Sequence, residues 1–380
     1  MDLVLNEEQE LLQQTAREFV TKNSSLRRIR ALRDGQDPVG YSRELYGEMA
    51  KLGWLGIVFP EEYGGSGLGY TELMVVFEEL GRGLMPEPLL STVLLGGACI
   101  ATAGSKAQRD GLLPPLIEGQ LLMTLAHQEP NSRYNRLHVE TRAQESGKGW
   151  ILNGAKIQVL DGVGADHLIV PARTRGDVAD PSGITLFLVD TKVAGLSAER
   201  QVRIDARNAA LVRLENVCVG ADDVVGIVDG GGEVLATIID RATVGLCAEM
   251  LGSMTAALEI TLDYLKTRTQ FGVPIGSFQA LKHRAAKMYI ETELARSAVM
   301  AAHKALDEAS QDVARLTAIA KARCSDAFVL IGNECVQMHG GIGMTDEHDS
   351  GFFIKRARTT EVTFGDAAYH RNRFAELHGY

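Results

Sequence analysis

Two glycine-containing segments in the last third of the chain, each beside a long helical pattern, constrain the fold most. Residues 268–279 read RTQFGVPIGSFQ, and residues 337–343 read QMHGGIG. From 242 to 266, apolar residues recur every three to four positions, which predicts a helix with one buried stripe. That helix is predicted to end near Gly272 and Pro274. Two further helical patterns follow, so the C-terminal third is predicted to be a helical bundle.

The glycines of the second segment suggest a binding role. Gly340 and Gly341 carry no Cβ atom, so backbone N–H groups there can approach a phosphate or an aromatic ring closely. Arg268 at one helix end and the Gly340–341 corner at another could together hold an anionic, amide-rich cofactor. The alternative is that both segments are ordinary helix ends, and either segment alone favours that alternative. Together, their order and spacing in one chain are typical of a protein family.

The two segments resemble the C-terminal signatures of the acyl-CoA dehydrogenase family of FAD enzymes. Residues 60–69 (PEEYGGSGLG) and 78–82 (EELGR) are typical of the same family, and the resemblance runs from about residue 4 to the C-terminus. It agrees with the residue patterns, which are helical at both ends and strand-like in between, with turn signals at Asn153-Gly154 and Asp161-Gly162. We therefore predict an α+β protein with an all-α N-terminal domain (1–120), a middle antiparallel β-barrel or sandwich domain (121–226) and a C-terminal four-helix bundle (227–380).

Composition and charge exclude several classes of function. A formal net charge of −10 argues against a nucleic-acid partner, which would need a broad basic face. No apolar run is long enough to span a membrane, and the N-terminus lacks a signal pattern. The five cysteines are scattered, without the spacing of metal ligands. A cytoplasmic, metal-free protein is the simplest expectation.

The resemblance implies FAD as the cofactor and an acyl-CoA thioester as the substrate. A carboxylate would remove the α-proton while the β-hydrogen leaves as hydride to the flavin, and hydrogen bonds to the thioester carbonyl would stabilise the enolate-like transition state. The family also implies a tetramer and an electron-transfer flavoprotein as partner. In such a tetramer one set of residues would reach a neighbour's FAD, namely Arg268, Gln270, Phe271, Gln279, Gln337, Gly340 and Gly341.

The part of the site that would hold the subunit's own flavin departs from the family pattern. The family's TEPxxGSD is QEPNSRYN here, at residues 128–135, with Gln128 first and Tyr134 where a small hydroxyl would meet the pyrophosphate. The family's KxWITN is KIQVLD at residues 156–161, so Gln158 replaces the Trp beside the flavin ring and Leu160 replaces the Thr. Gln128 and Gln158 are nevertheless the predicted cofactor contacts in this part of the chain.

The position of the catalytic base also departs from the family pattern. In the largest subgroup of the family the base is a Glu near the C-terminus, and that position is Phe364 here. In another subgroup the base lies early in the first bundle helix, at the position of Ala242. Neither side chain can accept a proton. Asp240, Glu249 and Asp366 could substitute, and Asp366 is the first choice because it lies on the same loop as Phe364. The alternative for each is a solvated or ion-paired carboxylate.

The residues that would reach a neighbour's FAD match the family pattern, whereas the subunit's own flavin site and the base position depart from it. This difference leaves two hypotheses open. The chain could form a homotetramer with FAD in a divergent pocket and a relocated base. It could instead be the non-catalytic subunit of a mixed tetramer, completing a partner's FAD site. Two hypotheses from other functional classes are an acyl-CoA-binding scaffold without flavin, and an oxidase or monooxygenase on the same fold. The sequence favours a dehydrogenase-family function over both.

Overall fold

The structure is a computed structural model that describes residues 4–380. Its described part forms two compact units. The bundle unit contains the described residues up to Ala31, together with Gly69–Met85 and Thr243–Tyr380. The sheet unit contains Leu32–Leu68 and Pro86–Ala242.

Helices dominate both ends of the chain, as the sequence patterns predict, and strands lie in the middle. In chain order the helices are α1 (Glu7–Asn23), α2 (Leu26–Asp34), α3 (Arg43–Lys51), α4 (Tyr70–Arg82), α5 (Ala98–Ala103), α6 (Lys106–Ile117), α7 (Gly231–Thr267), α8 (Gln279–Asp307), α9 (Val313–His339), α10 (Ser350–Val362) and α11 (Ala367–Leu377). The strands are β1 (Met123–Leu125), β2 (Arg142–Ser146), β3 (Gly149–Leu160), β4 (His167–Arg173), β5 (Ile184–Asp190), β6 (Leu196–Arg200), β7 (Ala209–Gly220), β8 (Val224–Val225), β9 (Thr269–Gln270) and β10 (Val273–Pro274).

In the bundle unit, α4 and α7 pack backbone against backbone. A Cβ atom added to Gly81 would lie 2.0 Å from the Glu249 carbonyl oxygen, and one added to Gly252 would lie 1.7 Å from the Glu78 carbonyl oxygen. No side chain fits at either position, so the two glycines set the distance between the helices. The EELGR segment ends α4, and its Glu78 binds Arg296 of α8 at 2.7 Å. That segment therefore holds helices together.

The sheet unit is built on one eight-stranded sheet in the order β6-β7-β3-β2-β4-β5-β8, with β1 paired to β4. The prediction of an antiparallel domain needs one correction, because β1 and β2 both pair with β4 in parallel. Neither of them is joined to β4 by a hairpin, so the connections allow the parallel direction. One face of the sheet is covered by an apolar core that includes Leu152, Leu168, Phe187, Val212 and Val217.

The predicted division into residues 1–120, 121–226 and 227–380 stays a prediction. Each compact unit is assembled from segments of more than one of these ranges. The last strand of the sheet ends at Val225, and α7 begins at Gly231. The change from strands to helices therefore occurs in the short segment around the predicted boundary.

Candidate functional site

Aromatic stacking in the bundle unit brings the two glycine-containing segments to one end of the bundle. The ring of Tyr264, near the end of α7, lies 4.5 Å from the ring of His339, the last residue of α9. His348 packs against both rings, with its ring centre 4.3 Å from that of His339 and 6.5 Å from that of Tyr264. Arg268 donates its backbone N–H to the Tyr264 carbonyl, so it follows directly on this stack. Arg268 and Gly340 consequently leave the bundle at the same end.

The first segment folds into a small exposed hairpin. Gln270 pairs with Val273 across β9 and β10, and Phe271 at the turn has φ +53° and is 92% exposed. The Phe271 ring contacts only the edge of Phe278 among aromatic side chains in the described chain, at 6.1 Å between centres. Gln279 begins α8 and is exposed as well. An exposed aromatic pair beside an arginine is typical of a surface that binds something.

The second segment ends α9 in a conformation that requires glycine. Gly340 has φ +64° and ψ −141°, a combination that other residues adopt only under strain. A Cβ atom at Gly340 or Gly341 would meet nothing within 4 Å, so space beside the backbone is open. Gln337, one turn earlier, is exposed. Guanidinium, amide and backbone N–H groups are the donors that a pyrophosphate-containing cofactor needs, so this end fits FAD.

In the sheet unit, the structure brings the other two predicted cofactor residues together. The backbone N–H of Ile157 donates to the carbonyl of Gln128 at 2.8 Å, which places Gln158 one residue from that contact. Gln158 has φ +51° and lies in a bulge of β3, where the pairing with β7 shifts between Lys156 and Val159. Bulges redirect a side chain out of the regular alternation, and they are frequent next to binding sites.

The turn that follows Gln128 is held by a buried ion pair that sequence reasoning missed. Lys156 is fully buried and donates to Glu129 Oε1 at 2.5 Å and to the Pro171 carbonyl at 2.7 Å. Glu129 also accepts backbone N–H groups from Glu140 and Thr141. Burial alone would raise the pKa of Glu129, but the Lys156 charge and these hydrogen bonds outweigh it, so that pKa is lowered. Glu129 is therefore a fixed anion in the fold.

His127, two residues earlier, is unsuited to proton transfer near neutral pH. Burial lowers its pKa to about 3, and the positive charges of Lys156 and Arg136 act in the same direction. The imidazole is consequently neutral under ordinary conditions.

The loop that carries Phe364 lies between α10 and α11 in the bundle unit. Phe364 has φ +59°, in the left-handed region, and its carbonyl accepts a hydrogen bond from His370 Nε2 at 3.0 Å. The carbonyl of Gly365 accepts one from Lys321 Nζ at 2.7 Å. Asp366 caps the N-terminus of α11, with its Oδ1 accepting the backbone N–H of Tyr369 at 2.8 Å. The Asp366 carboxylate therefore has a structural partner.

The other predicted substitutes for the base are ion-paired. Asp240 binds Arg136 at 2.8 Å in the sheet unit. Glu249 binds Arg356 of α10 at 2.7 Å in the bundle unit, with both side chains almost fully buried. Ala242 is buried and apolar. The ion-paired alternative thus describes Asp240 and Glu249, while the assignment of Asp366 as base stays a prediction.

Lys321 is a buried cation that sequence reasoning did not single out. A signal was present for Lys321, because it occupies the buried stripe of α9 between Ala318 and Phe328, three and seven residues away. A lysine on such a stripe must have several acceptors.

Comparisons with known proteins decide the family. Three family models match the chain in order: the acyl-CoA dehydrogenase N-terminal domain at residues 6–120, the middle domain at 124–217 and the C-terminal domain at 229–377. The chain belongs to the acyl-CoA dehydrogenase family. This family consists of FAD-dependent oxidoreductases, so the predictions of the family, the enzyme class and the cofactor are confirmed.

Individual relatives match over nearly the whole chain. The mitochondrial isovaleryl-CoA dehydrogenase of Pongo abelii is 32% identical over 97% of this chain and 88% of its own. The structure of butyryl-CoA dehydrogenase from Megasphaera elsdenii is 27% identical, covers 100% of both chains and has a TM-score of 0.92. A chain of the ChsE4-ChsE5 complex from Mycobacterium tuberculosis is 27% identical, with a TM-score of 0.89 over 99% of this chain and 98% of that one.

Within residues 4–380, none of the helices combines the length and the apolar character that crossing a membrane requires. The predicted cytoplasmic location stays a prediction, since the Pongo abelii relative is named as mitochondrial.

Proposed function

We propose that this protein takes part in the α,β-dehydrogenation of an acyl-CoA thioester, with FAD as the hydride acceptor and an electron-transfer flavoprotein as the next electron carrier. Family membership supports the reaction class, and the exposed donors at the end of the bundle support the cofactor. When bound, FAD supplies a ring that accepts hydride. The chain's own contribution is to bind that cofactor through Arg268, Gln270, Gln337 and the Gly340–341 backbone.

We further propose that the chain works as the base-lacking subunit of a mixed tetramer. The observation that carries this proposal is the state of the five positions considered for the base. Phe364 and Ala242 cannot accept a proton. Asp240 and Glu249 are ion-paired with arginines, and Asp366 caps α11. A general base must have a carboxylate free to reach the α-proton. The ChsE4-ChsE5 complex is a relative that pairs two different chains.

The second candidate is a homotetramer in which Asp366 is the base. It is favoured by one observation, the position of Asp366 two residues from Phe364 on the same loop. The cap hydrogen bond from Tyr369 engages one carboxylate oxygen of Asp366, Oδ1, and does not remove the carboxylate from the loop.

The first experiment measures the ratio of flavin to protein by absorbance, together with the mass of the assembly, for the chain expressed alone. The mixed-tetramer proposal expects well under one FAD per chain and an assembly other than a stable tetramer. One FAD per chain in a homotetramer, with bleaching of the flavin by acyl-CoA that Asp366→Asn abolishes, would contradict it.

A gain-of-function variant tests the reaction itself. Phe364→Glu puts a carboxylate at the position of the family's base, on a loop whose backbone is already fixed. With FAD bound, alone or with a related subunit, we expect Phe364→Glu to bleach flavin with acyl-CoA at least 100-fold faster than the parent, because proton abstraction by a positioned base contributes roughly 10²–10⁴-fold. Phe364→Gln is the matched control, since it has the same size and cannot act as a base.

A further inference from the structure

The loop between α10 and α11 is held in a strained conformation. Phe364 has φ +59°, although a residue with an aromatic side chain disfavours this left-handed region. Gly365 follows with φ +110°, and a Cβ atom there would lie 2.3 Å from Tyr369 Cδ1. A strained backbone persists only where surrounding contacts fix it, and strained residues cluster at functional sites. The groups that hold the loop are therefore informative.

Lys321 supplies the contacts on one side. Its side chain extends from α9 and is 0% exposed. The Nζ atom donates to the Glu361 carbonyl at 2.9 Å, the Gly365 carbonyl at 2.7 Å and the Ser325 hydroxyl at 3.0 Å. Three donors thus meet three acceptors. Glu361 lies in the last turn of α10, where carbonyl groups lack helical partners and a positive charge is favourable.

α11 supplies the contacts on the other side. His370 is fully buried, and its Nε2 donates to the Phe364 carbonyl at 3.0 Å. Asp366 caps the same helix through Tyr369. Residues 364, 365 and 366 therefore each have a hydrogen bond that ties them to α9 or α11.

We propose that Lys321 is a positioning residue, whose buried ammonium holds the carbonyls of Glu361 and Gly365 and thereby sets the left-handed conformation of residue 364. The importance of position 364 for the reaction rests on the proposed function. The hold of Lys321 on the loop rests on the contacts alone. A simple space-filling role would not need three hydrogen bonds from one nitrogen, since an apolar side chain of similar length would fill the same volume.

The protonation of Lys321 provides a way to observe this role. Burial lowers the pKa of Lys321 to about 8, while the neighbouring Cys247, Cys324, Asp366 and Glu361 raise it by smaller amounts. Loss of the proton leaves two donors for three acceptors. The conformation of the loop should therefore change with pH. A probe at residue 364 would report this change without being the group that titrates.

The experiment places 4-trifluoromethylphenylalanine at position 364 alone and follows its fluorine resonance. In the parent protein we expect one narrow resonance whose position changes with a midpoint near pH 8. In Lys321→Met we expect a shifted or broadened resonance without this titration. Thr317→Val is the matched control, because Thr317 is equally buried one turn earlier on α9, and it should leave both the line and the titration unchanged.

A folded Lys321→Met protein with the parent's resonance and titration would overturn the proposal. If Lys321→Met fails to fold, Lys321→Gln takes its place, and a folded variant with the parent's resonance and line width would overturn the proposal. In the Phe364→Glu background, Lys321→Met should lower kcat at least tenfold and change KM less than twofold. Absence of activity in Phe364→Glu itself would count against the proposed function, while the fluorine result would still decide the role of Lys321.

Discussion

The exposed end of the bundle and the loop at residue 364 differ in how their polar groups are used. At the bundle end, Arg268, Gln270 and Gln337 are exposed, and the backbone around Gly341 is open. In the loop, the carbonyls of Phe364 and Gly365 and the carboxylate of Asp366 all accept hydrogen bonds from neighbouring helices. Groups with internal partners stabilise the fold, whereas exposed donors are available to a ligand. Variants at the two kinds of position should therefore separate stability from binding.

The largest effect on stability is expected at the buried pair of the sheet unit. Glu129→Gln leaves the Lys156 ammonium buried without its counter-charge, and breaking such a pair from one side costs about 3–5 kcal/mol. Urea unfolding measures this loss. Glu140→Gln is the control, because Glu140 is an exposed carboxylate nearby and its loss should change the free energy of unfolding by less than about 0.5 kcal/mol. A small effect of Glu129→Gln would show that the pair is not needed for the fold.

The next largest effect is a pH dependence of the free energy of unfolding, caused by Lys321. Its pKa is about 8 in the folded protein and near 10.5 when unfolded. Below pH 8 both states carry the proton, so the cost of burying the charge is fully present. Between pH 8 and 10.5 the folded state releases the proton while the unfolded state keeps it, so the contribution to stability rises with pH, by roughly 3 kcal/mol over that range.

The check on this sign is the difference in unfolding free energy between the parent and Lys321→Met, measured from pH 7 to 10. The difference should move in favour of the parent as pH rises. A difference that stays constant would mean that Lys321 does not titrate in this window.

The extent to which the sequence predicted these features follows from their range of interaction. Helix periodicity and the glycine-containing segments act within a few residues, so the bundle and its exposed end were predicted. The parallel pairing of β1 with β4 and the partners of Lys321 join residues about 40 positions apart, and no local pattern records them. The cap formed by Asp366 depends only on neighbouring residues, yet the same residues would also suit a catalytic base on a loop. The sequence alone does not distinguish a capping aspartate from a catalytic aspartate.

A smaller effect is expected at the end of α9. Gly340→Ala forces a side chain into φ +64° and ψ −141°, which costs about 1–3 kcal/mol or changes the local backbone. A changed backbone should lower the affinity for FAD, because the backbone N–H groups of this corner turn away. A strained but unchanged backbone should appear as lost stability instead. Gly341→Ala is the control for the stability measurement alone, since Gly341 lacks the positive φ and an added Cβ meets nothing within 4 Å in the protein itself. Thermal unfolding and flavin titration of the two variants, with a related subunit present, compare them.

The smallest effect on stability is expected at Arg268, and there the contrast between the two regions is sharpest. Arg268 is exposed, so Arg268→Ala should change the free energy of unfolding by less than about 0.5 kcal/mol. The same variant removes a guanidinium suited to a pyrophosphate, a charge-assisted hydrogen bond worth roughly 1.5–3 kcal/mol. We therefore expect at least tenfold weaker FAD binding by the assembled protein, measured by fluorescence titration, with Arg268→Lys giving partial recovery. Unchanged affinity would mean that the exposed end of the bundle binds something other than the flavin cofactor.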